Sequence, residues 1–213
     1  MMLMSRFRAL PQLRSAVRAV SSLASNPSIK VFPDPSRPTT HHLLSYLDTI
    51  PPSPALAIGT TTTVPPSPNS LQVNHRFLSI LNEVLKKHAA DDPDLQSQAK
   101  AFASPGGFTF IQSRNRRGSG TGAGGASAEG GAGGAGVGGW VHLSDARNPP
   151  DFGRIAWPED ILGSIEVDGQ GNIVGNFQAS GTYRIITNEG ILGLSPFLRD
   201  KLIARLREEE RKA

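Results

Sequence analysis

The chain contains no cysteine, which excludes disulfide staples and every thiolate metal site and leaves the fold to packing alone. Large core-filling side chains are scarce, with nine Phe, two Trp and two Tyr in 213 residues. No apolar run approaches the roughly 20 residues needed to cross a bilayer, and no secretory hydrophobic region is present. Acidic residues are missing altogether from residues 1–30. What is plentiful is backbone punctuation, 23 Gly and 17 Pro, so part of the chain has little to bury. The length accommodates one domain of roughly 100–150 residues with extensions.

The overall charge of +4 has the sign of a nucleic-acid binder, but its distribution does not. Arg6, Arg8, Arg14, Arg18 and Lys30 lie in the acid-free start, so the rest of the chain is close to neutral. Residues 1–25 read as a mitochondrial targeting segment: Arg- and Ser-rich, with Leu3, Phe7, Leu10, Leu13, Val17 and Val20 at helical spacing. Pro11 interrupts that stripe and Arg6 falls inside it. Arg18-Ala19-Val20-Ser21 resembles a matrix-processing site, with Arg18 three residues before the cut and Val20 and Ser21 flanking it. The competing reading is a basic tail for RNA or anionic lipid; the composition favours import, to the matrix or the matrix face of the inner membrane.

Residues 26–68 read as a mostly irregular Pro/Ser/Thr-rich spacer, because ten prolines remove donors and restrict their neighbours. Two islands stand out within it, two helical turns over 40–47 and a short strand over 55–59. His41 and His42 are adjacent, so on a helix they point about 100° apart, and no third ligand stands at a fixed offset. A solvated or capping pair explains them better than a metal site.

Residues 69–213 read as an α+β domain, a small antiparallel sheet with helices packed on one face. A helix over 70–88, capped by Asn69 or Ser70, presents Leu71, Phe77, Leu78, Leu81, Val84 and Leu85 on one side. A second helix starts at Asp92-Pro93, with Asp as cap and Pro at the first position, and buries Leu95, Ala99 and Phe102. A third starts at Ser195-Pro196 and buries Phe197, Leu198, Leu202, Ile203 and Leu206. Strands are expected at 108–112, 140–143, 164–168, 173–174 and 183–187. A disordered Gly-rich insertion over 114–139 interrupts the domain, with 12 glycines between Gly118 and Gly139. Its GxGxG spacing lacks the following helix that a phosphate loop requires. The neighbouring Arg114, Arg116 and Arg117 lack the interleaved aromatics of an RNA-binding segment.

The densest run of specific side chains is 145–160, a long connection between strands that is more apolar than a disordered loop would be. Arg147, Asn148, Asp151, Arg154 and Asp160, with Arg184 from the strand opposite, form a candidate partner-binding set. Phe152, Ile155, Trp157, Ile161 and Leu162 are expected to pack the loop onto the sheet. Asp and Arg in a loop more often brace its own backbone than perform chemistry. His142, Asp151, Arg154 and Asp160 are the residues an acid–base site would use. No nucleophile with a paired base stands out, and the acids lack the spacing of a metal loop. No catalytic residue is assigned, and no metal or cofactor is expected.

Residues 145–168 (DARNPPDFGRIAWPEDILGSIEVD) and 183–202 (YRIITNEGILGLSPFLRDKL) resemble a family of small, chiefly fungal mitochondrial proteins. The resemblance covers the last third of the chain. It implies a mitochondrial compartment and a domain boundary, and brings no activity with it. The expected function is non-catalytic: binding a larger protein assembly, the mitochondrial ribosome or a respiratory-chain assembly intermediate, through residues 145–160. The alternatives are a small-molecule enzyme using the same loop and an RNA-associated protein that meets RNA through the assembly.

Overall fold

Val31 faces Leu44, and Phe32 faces Leu43, across an antiparallel strand pair, and all four are buried. Adjacent residues on a strand point to opposite faces, so this pair is covered on both sides. In the computed structural model, which describes residues 21–103, 138–150 and 154–212, the pair is the middle of a five-stranded meander. Its strands are β1 (Ser21–Ser22), β2 (Lys30–Pro33), β3 (His42–Ser45), β4 (Gly59–Thr61) and β5 (Leu71–Val73), hydrogen-bonded in chain order. Val31, Leu44 and Ile58 enter the main core. Phe32, Leu43 and Ala57 form a small cluster of their own.

Residues 26–68 are therefore not a spacer, and 40–47 is not a helix. The prolines sit in the connections, Pro33 alone closing a strand. Doubly buried strands read as apolar doublets rather than as an alternation, and Leu43-Leu44-Leu47 imitates a helical stripe. The first expected helix is also shorter than its pattern. α1 spans His75–His88, because Leu71–Val73 is spent as β5 against β4. Asn74 caps it, accepting the Arg76 N–H at 3.0 Å, while its amide donates to the carbonyls of Ala57 at 2.8 Å and Ala55 at 2.9 Å. One side chain thus starts the helix and fixes the β3–β4 loop.

α2 (Pro93–Ala103) begins at the expected Asp-Pro pair and buries Leu95 and Ala99. β6 (Gly139–Ser144), β7 (Ile161–Val167) and β8 (Gln178–Ala179) form a three-stranded antiparallel sheet, with a bulge at Leu143/Ser144. β9 (Ile186–Thr187) and β10 (Gly190–Ile191) make a separate ribbon. The expected single sheet is thus three among the described residues. The expected strand over 183–187 shrinks to its last two residues because Tyr183 leaves the ladder for the interior. Ile173 makes one bridge, to Val167. Gly171, at φ +79°, turns that hairpin against α2, where an added Cβ would meet Ala99 O at 2.8 Å. The strand expected over 108–112 and insertion residues 114–137 lie outside the described residues, while Gly139 already belongs to β6.

α3 (Pro196–Lys212) buries Leu198, Leu202 and Leu206 and lies along α1. Arg205 pairs with Glu83 at 3.2 Å, and Glu209 accepts from Arg76 at 3.1 Å, Arg205 at 2.6 Å and Lys212 at 3.0 Å. The meander joins this half through Asn26, whose amide donates to Leu192 O at 2.8 Å, and through Tyr46, whose hydroxyl donates to the same carbonyl at 3.4 Å. One core cluster contains Ile29, Leu44, Phe77, Leu95, Ile165 and Leu202. The folded unit therefore includes β1 and the buried Leu23, inside the expected targeting segment 1–25 and well before residue 69; Arg18 and Val20 of the expected processing site lie outside the described residues.

Leu44 is fully buried, so Leu44→Ala should lower the unfolding free energy by about 2–5 kcal/mol; in a spacer it would change nothing, and urea denaturation separates the two. Hydrogen bonds from Lys212, then Arg205 and Arg76, hold the Glu209 carboxyl down to about 2. A depressed carboxyl stabilises above its unfolded value and loses that contribution as pH falls through the folded one. The melting-temperature gap between wild type and Glu209→Gln should be present at pH 7 and close between about pH 4.5 and pH 2.

Candidate functional site

Where β6 ends, the Leu143/Ser144 bulge turns the chain inward and buries Asp145 completely. A buried carboxylate needs donors, and Asp145 has three. Its Oδ1 accepts the N–H groups of Arg147 at 2.9 Å and Gly193 at 2.8 Å, and its Oδ2 accepts the Tyr183 hydroxyl at 2.7 Å. Gly193 has no room for a side chain, since a Cβ there would stand 2.9 Å from Arg147 N and 3.1 Å from Asp145 Oδ1. Backbone bonds complete the seam, Asp145 N–H to Asp160 O at 2.7 Å and Ala146 N–H to Gly193 O at 2.8 Å.

Two residues on, the Arg147 side chain is only 3% exposed, and every arm of its guanidinium is used. Nε donates to Asp160 Oδ1 at 2.7 Å, Nη1 to Ile185 O at 3.0 Å and Nη2 to Glu159 O at 2.9 Å. Nη2 also lies 2.7 Å from Asp160 Oδ1, and Nη1 lies 3.7 Å from Asp145 Oδ2. The cation sits 5.5 Å from the Tyr183 ring centre. Asp160 is presented by a 3-10 turn over Pro158–Asp160, and its second oxygen accepts the Asn148 amide at 3.2 Å. The result is a closed network in which one guanidinium serves two carboxylates and two carbonyls.

Burial pushes the Asp145 carboxyl up, and the Arg147 charge and the hydrogen bonds pull it back only in part. Burial, reinforced by the Asp145 charge, raises the Tyr183 phenol well above its ordinary value, so at neutral pH this hydroxyl is a donor and not a base. Groups bonded to one another in this way position a loop from within.

The expected residues therefore part company. Arg147, Asn148 and Asp160 come together in the network, where they brace the loop from inside. Arg154 and Arg184 are exposed, and Arg184 is placed by its N–H on Glu159 O at 3.1 Å. Asp151 lies outside the described residues. His142 points away from the loop, on the face of β6 opposite Leu143, where Nδ1 meets Ser164 Oγ at 2.7 Å. Burial lowers its pKa, which leaves the ring neutral at pH 7. That pairing was not expected, and it places His142 on the other face of β6 from Arg147 and Asp160. Among the described residues no group of three or more His, Asp or Glu could hold a metal ion, and no helix is long and apolar enough to cross a membrane.

Two features escaped the sequence reading. Trp157 and Ile155, expected to pack inward, are 69% and 38% exposed, while their neighbour Ala156 is buried. The second is a cleft of about 500 Å³ where the first turns of α2 and α3 meet the start of the loop. Asp92, Asp94 and Ser195 line it on the helix side, Leu143, Leu162 and Leu198 form its apolar wall, and Pro149, Pro150 and Arg154 border it. Asp92 was legible as a cap; its complete burial depends on α3, which arrives from far along the chain.

Arg147→Ala leaves two buried carboxylates without their cation and should cost about 3–5 kcal/mol. Trp157→Ala, which removes only exposed surface, should stay within about 0.5 kcal/mol of wild type. Paired denaturation curves read both, and equal losses would mean that Trp157 is part of the brace.

Comparison of the chain with protein-family models, curated proteins and solved structures returned no match.

Proposed function

We propose that this is a non-catalytic mitochondrial protein that binds a larger protein assembly, and that residues 145–160 carry the contact with Trp157 as its anchor. The observation behind this reading is a large aromatic side chain, 69% exposed, held out by a backbone that is locked from beneath. Trp and Arg dominate the energetics of protein interfaces, and a contact loop ordered before binding gives up less entropy when it docks. The lock is the Arg147–Asp160 network, and the 3-10 turn directly after Trp157 fixes the outward direction. Thr182 adds a hydroxyl bond to Pro158 O at 2.8 Å. Arg154 and Arg184, both exposed, provide polar contacts at the rim of such a patch. In this division of labour Arg147, Asn148 and Asp160 act through the loop, and Trp157, Arg154 and Arg184 meet the partner.

The compartment rests on the composition of residues 1–25 and on the resemblance of residues 145–202 to mitochondrial proteins. The mitochondrial ribosome and a respiratory-chain assembly intermediate are the partners that fit; RNA would be met through the former. The inward use of Arg147 and Asp160, and the separation of His142 from them across β6, count against the acid–base alternative.

The test is a sedimentation profile of the tagged full chain from gently solubilised mitochondria, for wild type and Trp157→Ala, with and without RNase. Wild type should migrate with a large particle and the Trp157 variant as a free species with unchanged melting temperature. RNase sensitivity would identify the ribosome. Wild type at monomer size would overturn the stable-complex reading, and co-migration of both forms would overturn the role of Trp157.

A further inference from the structure

α1 and α3 run antiparallel, and the charges along their seam come in rungs. Arg76 meets Glu209 at 3.1 Å, and two turns further along α1 Glu83 meets Arg205 at 3.2 Å. Residues four apart share a helix face. The flank of α1 therefore continues from Glu83 to Lys87, and that of α3 runs back from Arg205 to Lys201. The third rung sets Lys87 and its neighbour His88 against Lys201, cation facing cation. Both lysines are exposed, and neither pairs with a carboxylate among the described residues. Asp200, next to Lys201, lies 3.5 Å from Arg199 instead, and Lys201 Nζ stands 5.2 Å from the Phe197 ring centre. His88 registers the crowding: burial lowers its pKa, the Lys201 and Lys87 charges lower it further, and Asp91 acts the other way.

The needs of the helices do not account for this rung. Lys86, Lys87 and His88 fill the last turn of α1, where the dipole favours cations. Lys201 stands in the second turn of α3, toward the end that favours acids, and an acid there would continue the pattern of the first two rungs. Like charges across a seam repel, and a local rule broken without a gain in stability marks a functional position. The charge that suits such a rung is an anion brought by a partner. Its class follows from the surroundings, because none of the exposed large hydrophobic residues among those described lies on α1 or α3. The rung thus lacks the apolar centre of a protein interface and the apolar face of a membrane-surface helix. Lysine binds phosphate as a point charge, and a strand of phosphates needs only such charges for sequence-independent binding.

We propose that Lys87 and Lys201, with Lys86 beside them, hold the phosphate backbone of a nucleic-acid strand without regard to base or sugar. The contact uses other residues than 145–160 and does not rest on docking through Trp157.

The experiment is fluorescence anisotropy of the full chain with labelled oligouridylate and oligothymidylate, across about 50–200 mM salt. The two strands should bind alike. Lys87→Ala with Lys201→Ala should flatten the dependence of log affinity on log salt by about 0.7 for each lysine removed, the single-strand value per phosphate. Each single variant should show half that loss. Arg76→Ala removes a cation of the same seam that already has its carboxylate, and should leave the slope unchanged. That control separates the rung from the arginines of residues 1–30, which every variant retains. The double variant should melt at or slightly above the wild-type temperature, because a repulsion is relieved. Trp157→Ala should bind the strands as wild type does, so failure of the docking reading and failure of this one are distinguishable. An unchanged slope in the lysine variants or an equal loss in Arg76→Ala overturns the proposal. So does a preference of about tenfold or more for one strand, the size of a base contact. Displacement by polyglutamate or phosphatidylglycerol vesicles at a lower concentration of charge than unlabelled oligouridylate would assign the rung to an acidic protein or a membrane, and overturns it as well.

Discussion

Everything in the second half of the chain turns on where one positive charge is placed. Arg147 is taken almost wholly out of water, a step that costs several kcal/mol for an isolated ion. It is tolerable only because two carboxylates, two carbonyls and an aromatic face surround it. Those partners come from four places: the end of β6, the turn before β7, the run before β9 and, through Gly193, the approach to α3. A hydrophobic contact at this point would be indifferent to small shifts. A guanidinium fork is directional, so the four segments have one relative arrangement in which all its bonds are made.

The first half is organised by the opposite means. The meander has short strands and many prolines, and its order comes from burying both faces at once. Leu44 works toward the helices while Leu43 works toward a separate cluster with Phe32 and Ala57. Asn74 does for this half what Asp145 does for the other, letting one side chain satisfy several backbone groups where two elements meet.

Much of the helical layer was legible in the sequence. The apolar faces of α1 and α3, the Asp-Pro start of α2, and β6 and β7 all follow from periodicity and capping. So did the idea that Asp and Arg in residues 145–160 would brace the loop, since Arg147 and Asp160 do meet. The meander was not legible, because a strand buried on both faces has no alternation and its punctuating prolines look like a spacer. The start of α1 was misplaced because Leu71 fits a helical face as well as a β5 edge, and only the pairing with β4 decides. Tyr183 as the lid on Asp145, Ser164 beside His142 and the burial of Asp92 are products of long-range contact and leave no local pattern. Trp157 was misread because hydrophobicity states what a side chain prefers, and the turn at Pro158 overrides that preference.

The carbonyl of Leu192 receives both Asn26 and Tyr46, residues that left the ribosome long before it. A chain synthesised or threaded from its N-terminus has therefore made the whole meander before the acceptor that anchors it exists. Contacts of such sequence separation are slow to close because the intervening loop entropy is lost first. Until the approach to α3 emerges, Asn26 and the Tyr46 hydroxyl lack that acceptor, and the core that Val31, Leu44 and Ile58 share with Leu192, Leu198 and Leu202 is incomplete. A molecule stalled or truncated short of residue 192 would carry that incomplete core into solution, the kind of partly exposed surface that chaperones hold and that otherwise aggregates.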